Sequence, residues 1–269
     1  MNLFDRVVVM KNLDVQLAKS KYLKKQYIYK KNNQKLIHKF NLSENIERNY
    51  SQMLQDIFVL TVLNGKSAGT YVEIGSSHQK RINNTFLLED TYNWKGVGYE
   101  IDENLCNTYN NIRKNICKLQ NALTTNFEKD FASINLPEVI DYLQIDIEPA
   151  EKSLDCLHRL PLDKYRFNVI TFETEYYLDG DKYENLSREY LSNKGYKLVM
   201  GRVGRLGKFY EDWYIHETIE EQFLKIFNSQ SFNEVDPREI FFSNLKINKL
   251  NLIFGTLLSL YFIKKDIYE

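Results

Sequence analysis

Between residues 70 and 216 the sequence alternates short apolar runs with longer, polar, helix-like stretches. Seven runs have the length and composition of strands: 70–74, 95–100, 116–123, 140–146, 167–173, 195–200 and 209–215. Helices are predicted between them at 84–91, 103–111, 150–158 and 183–193. Strands that alternate with helices predict right-handed crossovers and a mostly parallel sheet that is covered on both faces.

The last two predicted strands are separated only by residues 201–208, which is too short for a helical crossover. They are therefore expected to pair antiparallel. The sequence predicts an α/β fold with a doubly wound, mostly parallel, seven-stranded sheet that ends in an antiparallel hairpin. This hairpin is unlike the dinucleotide-binding fold, in which all strands run parallel.

Residues 48–217 are predicted to form this domain, flanked by a basic N-terminal extension at 1–47 and a helical C-terminal extension at 218–269. Residues 1–39 contain ten basic and two acidic side chains, so they can hold a phosphate-rich ligand, a membrane surface or a partner. A solvated extension is the alternative. The pattern also predicts a helix at 49–64.

The apolar segment 250–263 has helical spacing and is shorter than the ~20 residues that a membrane span needs. It is expected to pack on the core or on a second subunit, which would make a homo-oligomer; weak contact with a membrane surface is the alternative. The three cysteines show no CxxC spacing, and no signal peptide is visible. These features predict a reduced, cytoplasmic protein with no transmembrane segment.

Acidic residues end three of the predicted strands, at the sheet edge where open α/β sheets bind ligands. Glu100 ends the second strand, Asp146 the fourth and Glu173 the fifth, and Glu73 is the next-to-last residue of the first. Glu100 can accept hydrogen bonds from both hydroxyls of a ribose. Gly75 follows the first strand and lets the backbone come close to a ligand because it has no side chain.

No second or third glycine follows Gly75, so the sequence lacks the GxGxxG loop that cradles a pyrophosphate. S-adenosylmethionine needs no such cradle, since it combines a ribose, an amino acid and a positive sulfur with no phosphate. Carboxylates suit all three groups. The spacing indicates an adenosyl ligand of this kind, while polar strand ends at the rim of any α/β sheet are the alternative.

Seven segments resemble the FkbM-type methyltransferases in order and spacing, between about residues 48 and 216. They are Tyr50-Ser51-Gln52, Gln55-Asp56, YVEIGSS, NNTFLLE, WKGVGYEID, DYLQIDIEPAE and VITFE. The resemblance implies a Rossmann-like methyltransferase fold of class I and an S-adenosylmethionine-dependent enzyme. Members of this family methylate hydroxyl oxygens, often on sugars or secondary metabolites.

By the same resemblance, the cofactor contacts are Gln52, Asp56, Glu73, Gly75, Ser76, Ser77, Asn84, Thr85, Glu100, Ile101, Asn121, Ala122, Asp146 and Ile147. Glu73 and Gly75 match the pair that holds the amino acid end of the cofactor, and Glu100 matches the acid that binds the ribose. Gln52 and Asp56 match a polar pair on the leading helix that closes over the cofactor.

An alcohol acceptor must lose its proton during methyl transfer, which requires a base or a metal. Asp146 is the first candidate base, and Glu173 lies beside it if strands four and five are neighbours. The two carboxylates could also bind Mg²⁺ or another divalent cation. His78, in the loop after the first strand, is a candidate substitute base, with a plain surface residue as the alternative.

The chain departs from the family pattern at three places, one of which is Pro149 in place of a glycine. At the other two, His78 and Gln79 replace an Asp-Gly, and Thr174 stands where a histidine is frequent. These departures favour one alternative, a catalytically degenerate binding module that keeps the fold. A dinucleotide oxidoreductase is disfavoured by the missing glycines. The expected acceptor is a small molecule or a glycan rather than a nucleic acid.

Overall fold

The computed structural model describes residues 35–228 and 232–243, which are organised around one eight-stranded sheet. The strands are β1 Lys35–Leu36, β2 Thr70–Ile74, β3 Lys95–Glu100, β4 Ile116–Leu119, β5 Val139–Ile145, β6 Arg166–Glu173, β7 Tyr196–Arg205, β8 Lys208–His216, β9 Phe232–Val235 and β10 Phe242–Ser243. The helices are α1 Gln55–Val62, α2 Phe86–Tyr92, α3 Glu103–Ile112, α4 Phe127–Ser133, α5 Ala150–Arg159, α6 Tyr176–Asp179, α7 Lys182–Asn193, α8 Glu220–Phe227 and α9 Pro237–Phe241.

The strands of the large sheet follow the order β4-β3-β2-β5-β6-β8-β7-β9. The five from β4 to β6 run parallel, and β8 pairs antiparallel with both β6 and β7. The two-residue turn between β7 and β8 leaves no room for a crossover. The predicted doubly wound sheet and its antiparallel hairpin are therefore confirmed.

The sheet has one strand more than the seven predicted, because β9 pairs parallel with β7 at the edge. β9 has only four residues, and none of them is fully buried, so its apolar pattern is too weak to mark a strand. It lies inside the segment 218–269, so the described part of that segment mixes helix and strand instead of being helical throughout. Residues 1–34 and the apolar segment 250–263 lie outside the described residues.

Both faces of the sheet carry apolar side chains, and helices pack on each face and bury them. On one face Phe58 of α1 stacks on Trp213 of β8, with 4.6 Å between ring centroids. On the other face Phe131 of α4 meets Tyr165 edge to face at 5.2 Å. All four rings are buried, so these two layers supply much of the hydrophobic stabilisation. Helix α4 was not predicted, although Phe127 and Phe131 show its one-turn spacing.

Helix α1 begins six residues later than predicted, because the segment before it folds around a buried carboxylate. Asp56 accepts the backbone N–H groups of Tyr50 and Ser51 at 2.7 and 3.2 Å. Leu54 lies just before the helix with φ of 70°, a left-handed conformation that interrupts helical geometry. Along the described ranges, no helix has the length and apolar character that crossing a membrane requires.

Candidate functional site

A cavity of about 620 Å³ opens at the carboxyl ends of β2, β3, β4 and β5. The chain moves outward from β2 to β4 and then returns to place β5 on the other side of β2. This reversal of strand order leaves a crevice between the loops, which is where open α/β sheets bind ligands. The volume is in the range of small-molecule sites, roughly 300–1,000 Å³.

Most of the predicted site residues line this cavity, namely Gln52, Glu73, Gly75, Ser76, Ser77, His78, Asn84, Glu100, Ile101, Asn121, Ala122, Asp146 and Ile147. Three predicted residues do not line it: Asp56, Thr85 and Glu173. The lining also includes Glu148, an acid of the DYLQIDIEPAE segment, and residues that the sequence did not single out: Arg81, Ile82, Tyr99, Leu105, Gln120, Leu123, Gln144 and Lys152. Tyr99, Gln120 and Gln144 lie within two residues of a strand end, so their places follow from the same strand-end pattern.

Gly75 allows two backbone segments to meet at the floor of the cavity. Its φ is +79°, and a Cβ there would lie 1.9 Å from the carbonyl oxygen of Asp146. The backbone N–H of Asp146 in turn donates to the carbonyl of Ile74 at 3.0 Å. No other residue type fits this position without movement of the backbone, so Gly75 fixes Asp146 against the end of β2.

Glu100 connects the loops that follow β2 and β3. One carboxylate oxygen accepts the N–H of Ser77 at 2.7 Å, and the other accepts those of Ile101 and Asp102 at 2.8 and 2.9 Å. Each carboxylate oxygen has about two lone pairs, so the oxygen that accepts only the Ser77 N–H retains one. Glu100 is therefore held rigidly and can still accept a hydrogen bond from a ligand hydroxyl in the cavity.

Glu73 is nearly fully buried at the cavity floor, where it ties β2 to the segment that opens α2. Its two oxygens accept the Asn83 side-chain N–H and the Thr85 hydroxyl, both at 3.0 Å. Burial raises the pKa of Glu73 to about 7, although the Arg113 charge and these hydrogen bonds oppose the shift. Thr85 thus acts behind Glu73 and does not line the cavity.

Gln52 and Asp56, predicted as a pair, occupy different positions relative to the cavity. Gln52 lines the cavity, while Asp56 lies fully buried beneath it and holds the backbone of Tyr50 and Ser51. Burial raises the pKa of Asp56, and its hydrogen bonds oppose the shift. Asp56 therefore does not line the cavity as predicted. It supports the segment that carries Gln52.

The ring of His78 closes its own loop. Its Nδ1 accepts the backbone N–H groups of Lys80 and Arg81 at 3.2 and 3.0 Å. Burial and the charge of Arg81 lower the pKa of His78, so the ring is neutral with its proton on Nε2. In this tautomer His78 presents a donor and has no free lone pair with which to act as the predicted base.

Asp146, Glu173 and Glu211 lie side by side across three neighbouring strands. The pairing of β5 with β6 continues to Asp146 beside Glu173, and Glu173 is in register with Glu211 on β8. Burial, the charge of Asp146 and a hydrogen bond between the two carboxyls raise the pKa of Glu173. Two carboxyls can share a hydrogen bond only if one is protonated, so Glu173 donates to Asp146.

Glu211 is the buried member of this row, and it was not among the residues predicted from the sequence. Its Oε2 accepts the Trp213 indole N–H at 2.7 Å and the Gln55 side-chain N–H at 2.9 Å. Burial raises the pKa of Glu211 to about 8, and the charge of Asp146 adds to the shift. Glu211 lies inside β8 and not at the carboxyl end of a strand, so the strand-end pattern of acids does not mark it.

The predicted metal pair, Asp146 and Glu173, lies at adjacent positions at the ends of β5 and β6. Across residues 35–228 and 232–243, no group of three or more histidine, cysteine or acidic side chains is arranged to hold a metal ion. The raised pKa of Glu173 favours its protonated form, which a cation would have to displace.

We expect Glu211→Gln to reduce the loss of stability that occurs as the pH rises from 4.5 to about 8. A carboxyl whose pKa rises on folding, here from 4.5 to about 8, keeps more protons in the folded state between those values. The free energy of unfolding therefore falls across that window, by at most about 1.4 kcal/mol per pH unit for one group. Urea unfolding at pH 5 and pH 8 measures this slope.

The matched control is Glu217→Gln, since Glu217 is exposed on the surface. It should leave the slope of the wild type unchanged. If Glu211→Gln also leaves the slope unchanged, Glu211 is ionised in the folded protein and the assignment of its proton fails.

The sheet order and the antiparallel β8 define the class I methyltransferase fold of this chain. No protein-family model matches the chain, and no curated protein matches it by sequence. Solved structures with a similar fold include an rRNA methylase from Streptococcus thermophilus, with 11% identity over 64% of this chain and 98% of that one and a TM-score of 0.42.

Two further solved structures are similar in the same way. A TehB-like SAM-dependent methyltransferase from Corynebacterium glutamicum has 14% identity over 65% of this chain and 92% of its own, with a TM-score of 0.40. Fibrillarin from Aeropyrum pernix, solved with bound S-adenosyl-L-methionine, has 11% identity over 62% and 77%, with a TM-score of 0.41. At these identities the similarity concerns the fold alone.

Proposed function

We propose that this chain is an S-adenosylmethionine-dependent methyltransferase of the FkbM type, which methylates a hydroxyl of a sugar, a glycan or a small metabolite. The observation that carries the proposal is the cavity at the sheet switch point. It brings Glu73, Gly75, Glu100 and Asp146 together from three strand ends. The FkbM assignment rests on the sequence segments that surround these residues.

The lining fits a ligand with an amino acid end and a ribose. Gln144 is buried beside Glu73 in the sheet register, and its side-chain oxygen has no hydrogen-bond partner among the described residues. A buried acceptor of this kind is costly unless a ligand donor satisfies it. An ammonium group between Gln144 and Glu73 would do so, with the ribose near Glu100.

When bound, S-adenosylmethionine supplies a methyl carbon that its positive sulfur activates. The chain's own residues then provide orientation and a place for the proton. The protonated carboxyl of Glu173 fixes one side of Asp146, so that the other oxygen of Asp146 can face the acceptor hydroxyl. As the new oxygen–carbon bond forms and the sulfur–carbon bond breaks, the hydroxyl proton passes to Asp146.

The second candidate function is a catalytically degenerate binding module with the same fold. One observation favours it, namely that His78 uses its lone pair to close a loop and is not free to act as a base. This candidate predicts binding of S-adenosylhomocysteine without methyl transfer.

Mass spectrometry of a candidate glycan pool, incubated with the protein and labelled S-adenosylmethionine, separates the two functions. Calorimetry with S-adenosylmethionine, S-adenosylhomocysteine and NAD tests the cofactor. The proposal expects label on a hydroxyl and binding of both adenosyl ligands. Tighter binding of NAD would contradict the cofactor assignment, while binding without label on any acceptor would favour the degenerate module.

Glu100→Ala should weaken the binding of S-adenosylhomocysteine by roughly 1–3 kcal/mol, since the ribose hydroxyls lose a charged acceptor. The loops after β2 and β3 also lose the link between Glu100 and Ser77. Glu103→Ala is the matched control, because Glu103 is exposed on the adjacent helix. Equal affinities for the two variants, measured by calorimetry, would place the ribose elsewhere.

A further inference from the structure

Arg113 is a buried arginine that no part of the proposed chemistry uses. It follows α3, and its side chain has no exposed surface. The guanidinium lies between the rings of Tyr109 and Phe86, at 4.5 and 5.4 Å from their centroids. Burying an arginine so completely is costly unless its donors are satisfied. The Nε has no hydrogen-bond partner among the described residues, so the two terminal nitrogens make all of its hydrogen bonds there.

The two terminal nitrogens of Arg113 bind the segment that follows the Gly75 loop. Nη1 donates to the carbonyl of Gln79 at 3.1 Å and to the side chain of Asn83 at 3.0 Å. Nη2 donates to the hydroxyl of Thr85 at 3.0 Å. Asn83 and Thr85 are also the two residues that hold Glu73, so one guanidinium fixes both partners of that carboxylate.

Arg113 is itself anchored from the opposite side. Nη2 forms an ion pair with Glu89 at 3.0 Å and donates to the hydroxyl of Tyr71 at 3.1 Å. A lysine could not reproduce this planar fork, because its single nitrogen cannot reach both groups of partners.

The loop between β2 and α2 needs such a support. Ser77 and Ile82 have positive φ values of 47° and 56°, although neither is a glycine. Residues in this conformation persist only where their surroundings hold them. Arg81 and Ile82 from this loop line the cavity, so the shape of the loop is part of the shape of the site.

We infer that Arg113 is a positioning residue, which holds residues 79–85 and Glu73 in the geometry that the cofactor needs. This inference rests on the proposed function, since the ligand is the adenosyl cofactor. The charged and titratable groups that face Glu73 are Arg113, Glu89, Tyr71, Tyr109, Cys117 and Tyr142. Arg113 is the only cation among these six, and its charge lowers the pKa of Glu73.

Two measurements on Arg113→Lys and on Arg113→Met with Glu89→Gln test this role. The double variant removes the ion pair as a unit, so that no buried charge is left alone. Hydrogen exchange in the ligand-free proteins should show the amides of Arg81 and Phe86 exchanging roughly tenfold faster or more, since both bond to side chains of this segment. Arg188→Met is the control, because it removes an ion-paired arginine, bound to Glu184 and Asp212, that does not contact residues 79–85.

The second measurement is the affinity for S-adenosylhomocysteine as a function of pH. In the wild type, affinity should rise as Glu73 ionises near pH 7. In the double variant the midpoint should move upward, because Arg113 lowers the pKa of Glu73 more than Glu89 raises it and both charges are lost. Arg188→Met should leave the midpoint in place, and Glu73→Gln should remove it. A purely structural role would weaken binding at every pH and leave the midpoint unchanged.

Faster exchange at Arg81 and Phe86 together with a raised midpoint supports the inference. Unchanged exchange overturns it, and so does faster exchange with an unmoved midpoint. If the double variant does not fold, exchange in Arg113→Lys decides. If the wild type binds no S-adenosylhomocysteine, the proposed function fails, and the exchange measurement alone still shows whether Arg113 holds residues 79–85.

Discussion

Asp146→Asn should lower kcat by roughly a hundredfold to ten-thousandfold, the usual contribution of a general base. The dissociation constant of S-adenosylhomocysteine should stay within about tenfold, or about 1.4 kcal/mol. The assay uses the acceptor that labelled S-adenosylmethionine identifies, at saturating cofactor, alongside calorimetry.

The reason lies in how Asp146 is held. Its backbone is fixed by the hydrogen bond to Ile74 and by close contact with Gly75, and neither depends on the side chain. Asparagine has nearly the same shape but cannot take a proton from the acceptor. It can still accept the hydrogen bond of Glu173, so the fold and the cavity should survive while the chemistry does not.

Asp155→Asn is the matched control, since Asp155 is exposed on α5. The alternative role for Asp146 is to bind the cofactor, and it predicts a different result. If Asp146→Asn raises the dissociation constant of the cofactor and leaves kcat nearly intact, the carboxylate anchors the ligand and another group takes the proton.

Gly75→Ala should lower the free energy of unfolding by roughly 4 kcal/mol or more and abolish cofactor binding. The new methyl group would meet the carbonyl oxygen of Asp146 at 1.9 Å. The methyl carbon is bonded directly to the Cα of residue 75, and the oxygen belongs to the backbone of Asp146. Neither atom can move by a side-chain rotation, so the clash can be relieved only by a backbone shift. The loop that carries Ser76 and Ser77 would have to shift.

Gly207→Ala separates the steric cost from the conformational cost. Gly207 has φ of +76°, close to the +79° of Gly75, but nothing lies within 4 Å of the position of its Cβ. This control should lose only about 1–2 kcal/mol, the cost of a left-handed alanine. Urea unfolding measures both variants, and equal losses would mean that the approach of Asp146 to Gly75 is not tight.

The sequence predicts the sheet well because the strand signals are local. Apolar runs and short connections are enough to locate β2 to β8 along the chain. The short turn at Gly207 is enough to predict that β7 and β8 pair antiparallel. The acids at strand ends follow from the same reasoning, since parallel strands bring their carboxyl ends to one edge. Glu73, Glu100 and Asp146 therefore line one cavity as expected.

The residues that support this cavity could not be predicted in the same way. Glu211 joins the carboxyl row only because β8 pairs with β6 in one particular register. Arg113 reaches Asn83 across 30 residues of chain, through a hydrogen bond that no spacing rule encodes. Thr85 and Asp56 were predicted as cofactor contacts, but their hydrogen bonds serve neighbouring segments of the protein.

The short strand β9 changes what the sheet can do at its border. Without β9, the ten-residue β7 would be an edge strand with a long row of unpaired backbone N–H and C=O groups, which another protein chain could pair with. β9 occupies that row for only four residues, and Glu234 interrupts its extended geometry with φ of 54° while pairing with Arg202 at 2.9 Å. A charged, kinked and brief edge is a poor template for further strands. The strand thus protects the protein against growth of its own sheet into aggregates.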